Sequence, residues 1–261
     1  MNVDLELAIE LADSADELTM RHFRSTDLVI ATKPDMSPVT QADRAVEQMV
    51  AERLTLSRPD DSLLGEEFGQ QGSNPRRRWI VDPIDGTKNY VRGIPVFATL
   101  LALEEDRELV VGVVSAPGLA RRWYAARGEG AFADGERIYV SDIDRLEDAQ
   151  ICHAGFEYWE KSGRLDGLIE LTRHAWRDRG FGDFWQHMLV AEGSVEVALD
   201  PEVSLWDLAA VKVVVEEAGG RFTDLAGVAT ASGGNAISSN GLLHETALAL
   251  IGDRAGATGG G

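Results

Sequence analysis

Two aspartates follow an apolar run in the segment Trp79-Ile80-Val81-Asp82-Pro83-Ile84-Asp85-Gly86-Thr87, and their spacing suits metal binding. The apolar run predicts a buried strand, which would deliver Asp82 and Asp85 to its exposed end. Hard divalent cations prefer carboxylate oxygens, and the N–H groups of Gly86 and Thr87 could receive an anion if they open a helix. The same letters are also typical of two consecutive turns, Asp-Pro and Asp-Gly, so the motif alone leaves both interpretations open.

Two more acidic motifs also lie at the ends of predicted regular elements. Glu66 and Glu67 come directly after a short apolar run, and Asp207 falls in the first turn of a predicted helix that ends at a Gly-Gly pair. An acid in the first turn also interacts favourably with the helix dipole, so a structural role for Asp207 is an alternative. If the 66–68 segment is extended, Glu67 points away from the face of Glu66. Three acidic motifs at the ends of regular elements together favour a metal centre.

The composition of the chain excludes several classes of protein. Its 261 residues are 44% hydrophobic, enough to bury a core, and 44 acidic against 25 basic residues give a net charge of −19. This charge would repel a nucleic-acid backbone. There is no run of about eighteen apolar residues, and the acidic N-terminus lacks the basic start of a signal peptide, so a cytoplasmic location and no membrane association are expected. The single Cys152 permits no internal disulfide and has no neighbours at zinc-ligand spacing.

The first half of the chain is predicted to be a sheet preceded by helices. An amphipathic helix is predicted over residues 5–23, and a second begins where Thr40 and Asp43 have capping-box spacing, which gives Asp43 a structural alternative. Asp134-Gly135 is a tight-turn signal between two of the predicted strands. The strands are predicted at residues 62–64, 79–81, 97–104, 109–115, 123–126, 130–133 and 138–141.

The second half has the alternation of strands and helices that is typical of α/β proteins. Strands are predicted at residues 151–154, 194–199, 220–224 and 236–239. An acidic, polar stretch at residues 142–148 marks the predicted boundary between an N-terminal α+β domain, residues 1–145, and a C-terminal α/β domain, residues 146–255. The glycine-rich residues 256–261 have nothing to bury and are predicted to be a disordered tail.

The acidic motifs, in this order and at these separations, resemble the inositol monophosphatase superfamily of Mg²⁺-dependent, Li⁺-sensitive phosphatases. The resemblance covers essentially the whole chain and implies a five-layered αβαβα sandwich that forms a homodimer. Within the superfamily, residues 31–47 and the run Asp85-Gly86-Thr87-Lys88-Asn89 are most similar to the actinobacterial type of histidinol-phosphate phosphatase. The expected substrate is therefore a small-molecule phosphate monoester.

The resemblance also implies a role for each motif. The ligands of a first Mg²⁺ would be Glu66, Asp82 and the backbone carbonyl of Ile84, and those of a second would be Asp82, Asp85 and Asp207. Thr87 together with Asp43 would orient or deprotonate the attacking water, and Glu66 would position a water on a third, weakly held ion. The N–H groups of Gly86 and Thr87 would bind the phosphate.

Other phosphatase chemistries fit the sequence poorly. Enzymes that form an aspartyl-phosphate need two Asp residues spaced by one, whereas two residues separate Asp82 from Asp85. Cysteine-based phosphoryl transfer fails because Cys152 lacks a phosphate-cradling loop with an Arg. No glycine-rich P-loop with its Lys is present. The remaining interpretation is attack by a metal-activated water.

Substrate choice depends on residues that contact the leaving group, and two acids are candidates. By resemblance, Asp183 replaces a small residue of inositol-type enzymes, and Asp200 falls where those enzymes place an acid against the sugar alcohol. Two acids suit a cationic leaving group, so we predict hydrolysis of L-histidinol phosphate, whose leaving group has an ammonium and an imidazole. Inositol 1-phosphate, or another sugar or nucleotide phosphate, is the alternative substrate, and a metal-sensing binding module is the alternative of another class.

Two of these substrate-side residues have structural alternatives. Asp183 could equally cap the N-terminus of a helix over residues 184–192. Lys88 could contact the phosphate or could be a surface cation on a helix.

Overall fold

The computed structural model describes residues 2–33 and 38–252, which form five layers in the order helix, sheet, helix, sheet, helix. Each sheet has apolar side chains on both faces, so each needs helices on both sides to exclude water. The predicted tail, residues 256–261, lies outside the described residues, as do the last three residues of the predicted C-terminal domain. Among the described residues, no helix is both long and apolar enough to cross a membrane.

Two long helices form the first outer layer. Helix α1 (Val3–His22) begins at Asn2, whose side chain accepts hydrogen bonds from two backbone N–H groups of its first turn. Helix α2 (Gln41–Ser57) begins with the predicted capping box of Thr40 and Asp43. Their buried apolar faces pack together on the first sheet. The capping box also places Asp43 inside the protein, beside the site described below.

The first sheet has eight strands in the order β10-β9-β8-β7-β6-β5-β3-β4. Neighbouring strands are antiparallel except for β3 and β5. The pairing of β5 with β6 is irregular between Asp82 and Asp85. The strands are β3 (Ser62–Gly65), β4 (Gly69–Gln71), β5 (Arg77–Asp85), β6 (Ala98–Glu105), β7 (Glu108–Ala116), β8 (Arg121–Ala126), β9 (Gly130–Ala133) and β10 (Glu136–Arg137).

The second sheet has five strands in the order β12-β11-β13-β15-β14. Three helices of the last layer come from the same half of the chain as these strands. Ladders with β11 are parallel, and those with β15 are antiparallel. The strands are β11 (Gln150–His153), β12 (Arg177–Arg179), β13 (Val197–Asp200), β14 (Arg221–Thr223) and β15 (Ala236–Ser239). The helices are α4 (Phe156–Lys161), α5 (Leu165–His174) and α8 (His244–Ile251).

The central layer consists of α6 (Asp183–Ala191) and α7 (Leu205–Glu217), which are packed between the two sheets. Helix α7 crosses close to β7 at Gly112, where an added Cβ would lie 2.5 Å from the carbonyl oxygen of Ala210. No larger residue could occupy position 112 without moving the helix. This close approach brings the first turn of α7 to the end of β5, where the acidic motifs lie.

Two short elements complete the chain near the end of β5. A hairpin of β1 (Ile30–Thr32) and β2 (Pro38–Thr40) precedes α2, and the short helix α3 (Thr87–Val91) directly follows β5. The boundary between residues 145 and 146 stays a prediction. In sequence, the strands of the first sheet come before this boundary and those of the second sheet come after it. Helices α6 and α7, however, contact both sheets.

One predicted strand is wrong. Residues 138–141 are not a strand, because the sheet ends with β10 and the chain then turns into the core. The Val140 N–H donates to the carbonyl oxygen of Ala218, and the side chains of Ile138 and Val140 pack against the central layer. The predicted Asp134-Gly135 turn is present, and both residues have positive φ angles, 48° and 89°.

Candidate active site

Most of the predicted site residues line a cavity of about 460 Å³ between the end of β5, α3, the start of α6 and the start of α7, whereas Asp43, Asp82 and Ile84 do not line it. Its lining is strongly acidic, with Lys88 and His187 as its basic members. The acids that line it are Glu66, Asp85, Glu157, Asp183, Asp200, Glu202 and Asp207. A cavity of this charge would attract cations and would oppose the entry of an anion unless cations were bound first.

Three carboxylates meet on one side of the cavity. One oxygen from each of Asp82, Asp85 and Asp207 lies within 4.8 Å of the others, and the first two residues are buried. The irregularity at the end of β5 turns both of its aspartates toward α7, and Asp207 comes from the first turn of that helix. The structure therefore brings together three of the predicted metal ligands, from parts of the chain that are distant in sequence.

The protonation of this trio supports a cation site. Burial raises the pKa of Asp82 and of Asp85 well above its ordinary value, and neighbouring carboxylates raise it further. Burial also raises the pKa of Asp207 to about 7. Acids pressed together in this way ionise readily only when a cation compensates their charge. Because all three donors are hard oxygens, the set fits Mg²⁺ better than a softer metal.

Hydrogen bonds fix the backbone around the trio. Asp82 Oδ1 accepts the N–H of Ile84 at 3.0 Å, and the Ile84 carbonyl oxygen accepts the Thr87 hydroxyl at 2.8 Å. Asp85 Oδ2 accepts the N–H of Phe184 at 2.6 Å. Asp85, at the end of β5, therefore binds the start of α6 in the central layer. It also faces Asp82 and Asp207.

Glu66 lies in the same cavity but outside the trio. It follows β3 in a turn, and Lys33 Nζ lies 2.7 Å from Glu66 and 2.5 Å from Glu67. Because residues 66–68 form a turn and are not extended, the condition for opposed Glu66 and Glu67 side chains is not met. The buried carboxylate of Glu47 holds the turn by accepting the N–H groups of Glu67 and Phe68. The charge of Glu66 contributes to the raised pKa of Asp82, so the two carboxylates are electrostatic neighbours.

The residues predicted to act on water lie next to the trio. The Thr87 hydroxyl is 3.4 Å from Asp43 Oδ1, while the other Asp43 oxygen accepts the N–H of Thr40. Burial raises the pKa of Asp43 to about 6, against the opposing effect of its hydrogen bonds with Thr40. Gly86 precedes Thr87 with φ 79°, and an added Cβ would lie 2.9 Å from the carbonyl oxygen of Val96. The first N–H groups of α3 have no helical acceptor and border the cavity.

The N-cap alternative for Asp183 is wrong. Asp183 is the first residue of α6, has φ 51° and makes no side-chain capping bond, because the distant Asp85 takes that role. Its exposed carboxylate borders the cavity and accepts a hydrogen bond from Asn89 Nδ2 at 3.2 Å. Lys88 Nζ donates to Tyr158 Oη at 2.8 Å, so Lys88 bridges α3 and α4 at the cavity wall.

Asp200 ends β13 and lies buried in the cavity wall, near enough to Asp183 for its charge to raise the pKa of that carboxyl. Its Oδ2 accepts hydrogen bonds from Gln186 Nε2 at 2.7 Å and from His187 Nε2 at 2.6 Å. Sequence patterns did not identify His187, Glu157 or Glu202 as cavity residues. The two glutamates resemble ordinary solvated surface acids, and His187 falls on an apolar helix face, where a core position is the usual outcome.

Comparisons with known proteins identify the family. A model of the inositol monophosphatase family matches residues 2–254. A histidinol-phosphatase of Streptomyces coelicolor is 51% identical over 260 residues, which cover 96% of this chain and 97% of the relative. A histidinol-phosphatase of Mycobacterium tuberculosis is 54% identical over 253 residues, which cover 95% and 97%. The chain belongs to the inositol monophosphatase family, as its motifs predicted.

A solved structure confirms the predicted fold class. The crystal structure of an IMPase/NADP phosphatase complexed with Mg²⁺ and phosphate superposes with a TM-score of 0.85 at 26% sequence identity, covering 96% of this chain and 95% of that one. The αβαβα arrangement is therefore shared with a protein that binds both Mg²⁺ and phosphate.

Proposed function

We propose that this chain is a Mg²⁺-dependent phosphomonoesterase that hydrolyses L-histidinol phosphate to L-histidinol and phosphate. The observation that supports it most directly is the trio of Asp82, Asp85 and Asp207, two of which line an acidic cavity. Identity of 51% and 54% to two histidinol-phosphatases, over at least 95% of each chain, supports the same substrate.

We assign the trio, with Glu66 and the Ile84 carbonyl, to two or three Mg²⁺ ions. When bound, the ions would neutralise phosphate oxygens and make water a stronger nucleophile at neutral pH. The N–H groups of Gly86 and Thr87 border the same space and can bind phosphate oxygens.

The proton of the attacking water needs an acceptor among the side chains of the site. The Thr87 hydroxyl donates to the Ile84 carbonyl oxygen at 2.8 Å; if that carbonyl instead held Mg²⁺, the hydroxyl could rotate to donate to Asp43 Oδ1, 3.4 Å away, and accept a hydrogen bond from the water. With a pKa of about 6, Asp43 is mostly ionised at neutral pH and is a stronger base than an ordinary Asp. We therefore propose Thr87 and Asp43 as the pair that orients the water and receives its proton.

The remaining acids of the cavity match a cationic leaving group. Asp183, Asp200, Glu157 and Glu202 line the same cavity as Lys88, and Asp183 is near enough to Asp85 for its charge to raise the pKa of that carboxyl. A polyol phosphate has no positive charge to offset these carboxylates, whereas histidinol presents an ammonium and an imidazole. A panel of phosphate esters in saturating Mg²⁺ tests this proposal. We expect kcat/KM for histidinol phosphate to exceed that for inositol 1-phosphate by about tenfold or more; equal or reversed values would refute the substrate.

Replacing Asp183 with Asn should impair histidinol phosphate specifically. The change removes one negative charge at the leaving-group side, and we expect kcat/KM for histidinol phosphate to fall about tenfold, the size of one charge-assisted hydrogen bond. For an aryl phosphate, whose leaving group carries no positive charge, kcat/KM should fall much less. Asp166→Asn, an acid in the first turn of α5, is the matched control. Equal losses for both substrates would indicate that Asp183 acts only through the fold.

Lithium sensitivity is a further proposal that follows from family membership. We expect Li⁺ at about millimolar concentration to inhibit in competition with Mg²⁺, because it would occupy an oxygen-ligand site with less charge. Initial rates across a Li⁺ and Mg²⁺ matrix measure this effect, and insensitivity to Li⁺ would count against the arrangement of two to three ions. A homodimer and a cytoplasmic location are also proposed, and light scattering of the purified protein tests the dimer.

A further inference from the structure

Three buried side chains form a chain of hydrogen bonds behind the leaving-group wall of the cavity. Ser238 Oγ lies 2.7 Å from His187 Nδ1, and His187 Nε2 lies 2.6 Å from Asp200 Oδ2. The exposed fractions are 0% for Ser238, 1% for His187 and 4% for Asp200. His187 and Asp200 both reach the cavity, yet neither Ser238 nor His187 has a part in the phosphate chemistry described above.

The hydrogen-bonding roles follow from the acid at the end of the chain. An ionised carboxylate only accepts hydrogen bonds, so His187 Nε2 carries the proton that Asp200 Oδ2 accepts. In a neutral imidazole, Nδ1 is then an acceptor, which suits the Ser238 hydroxyl. Gln186 Nε2 donates to the same Oδ2 at 2.7 Å. Because Oδ2 has two protein donors, Oδ1 is the oxygen that remains for a ligand.

The backbone fixes all three members of the chain. Ser238 is paired with Ala198 in the β13–β15 ladder, two residues before Asp200 on the same strand. Asp183 and His187 are four residues apart on α6, so they share one helix face. Helix α6 therefore presents an exposed acid and, one turn further on, the imidazole that holds a second acid.

We propose that His187 is a positioning residue for substrate specificity, which holds the Asp200 carboxylate so that Oδ1 accepts a hydrogen bond from a cationic nitrogen of the leaving group. This inference rests on the proposed function. A carboxylate as buried as Asp200 needs donors that compensate for lost water, and His187 and Gln186 supply them. Without His187, Asp200 would lose half of the protein donors on Oδ2 and the contact that fixes its orientation.

Two substitutions of His187, measured with two substrates, test the inference. His187→Leu removes the donor, whereas the side-chain amide of His187→Gln can replace Nε2 as a donor to Asp200. Each is assayed in saturating Mg²⁺ with histidinol phosphate and with p-nitrophenyl phosphate, whose leaving group is not cationic. We expect His187→Leu to raise KM for histidinol phosphate about tenfold, the effect of losing one hydrogen bond to a charged group, with a much smaller change in kcat. For p-nitrophenyl phosphate we expect much smaller losses, and His187→Gln should recover most of the affinity for histidinol phosphate.

Equal losses for both substrates in His187→Leu, or an unchanged KM for histidinol phosphate, would overturn the inference. Because His187 is buried, Ser238→Ala repeats the test with a smaller change at the far end of the chain. An increase in KM for histidinol phosphate alone would support the inference. No increase in KM, or an equal increase for both substrates, would overturn it. The proposed function is judged separately on the wild-type protein, which must prefer histidinol phosphate to inositol 1-phosphate.

Discussion

Asp82→Asn is expected to lower kcat for histidinol phosphate by about 10³-fold, because a charged metal ligand contributes several kcal/mol of transition-state stabilisation. The substitution is nearly isosteric, and the Asn side-chain oxygen can still accept the Ile84 N–H that Asp82 accepts at 3.0 Å. The backbone at the end of β5 should therefore keep its shape. The loss would come from the missing negative charge between Asp85 and Asp207.

Steady-state rates over a wide range of Mg²⁺ concentrations measure the effect of Asp82→Asn. Glu196→Gln is the matched control, because Glu196 is also buried and accepts the Gln150 N–H, but it is not part of the acidic trio. The control should lower the melting temperature while kcat stays within about threefold of the wild-type value, since it touches no reacting group. An Asp82→Asn protein that keeps about a tenth or more of the wild-type kcat would contradict the assignment of Asp82 as a ligand.

The second large effect is the dependence of stability on pH and Mg²⁺. Folding raises the pKa of Asp207 to about 7 and that of Asp82 and Asp85 well above its ordinary value, chiefly by burial. The folded state then binds more protons than the unfolded chain, in which these groups ionise near pH 4. Each raised acid therefore costs stability progressively as pH rises from about 4 through its folded pKa, which for Asp207 is about 7.

Mg²⁺ should reverse this loss, because cations bind the ionised carboxylates and displace their protons. We expect the gain in melting temperature on adding Mg²⁺, relative to a chelator, to be small near pH 5 and to grow up to about pH 8. Differential scanning calorimetry at matched ionic strength measures the difference, which cancels titrations elsewhere in the protein. Asp207→Asn should flatten the pH dependence in chelator. A Mg²⁺ gain that is independent of pH would refute the link between the acidic trio and stability.

Local patterns predicted those parts of the fold that local interactions determine. The capping box of Thr40 and Asp43 and the positive-φ turn at Asp134-Gly135 involve residues next to each other in sequence, and both formed as predicted. Residues 138–141 alternate like a strand but were assigned wrongly. Residues 138–141 have no regular secondary structure, and the side chains of Ile138 and Val140 pack against the core. The Val140 N–H donates to the carbonyl oxygen of Ala218 and not to a neighbouring strand.

The candidate site shows the same contrast between features that local sequence predicts and features that depend on tertiary packing. The residue types and order of Asp82, Asp85 and Asp207 predicted an acidic cluster, and the structure brings these three together. The cap of α6 was assigned to Asp183 as an alternative because capping is usually local, whereas here it comes from Asp85, which is distant in sequence. The contact of His187 with Asp200 had no local signal, since it depends on how α6 lies against β13.

The separation of the acidic trio along the chain has a consequence for how the protein is made. Asp82 and Asp85 belong to a strand of the first sheet, and Asp207 belongs to a helix that joins them from about 120 residues further along, a long loop to close during folding. A chain emerging from the ribosome holds only two of the three acids until α7 has been synthesised and has packed onto β7. Nascent or truncated chains that end before α7 therefore lack the complete trio, and cation binding by all three acids requires α7 to be made and packed.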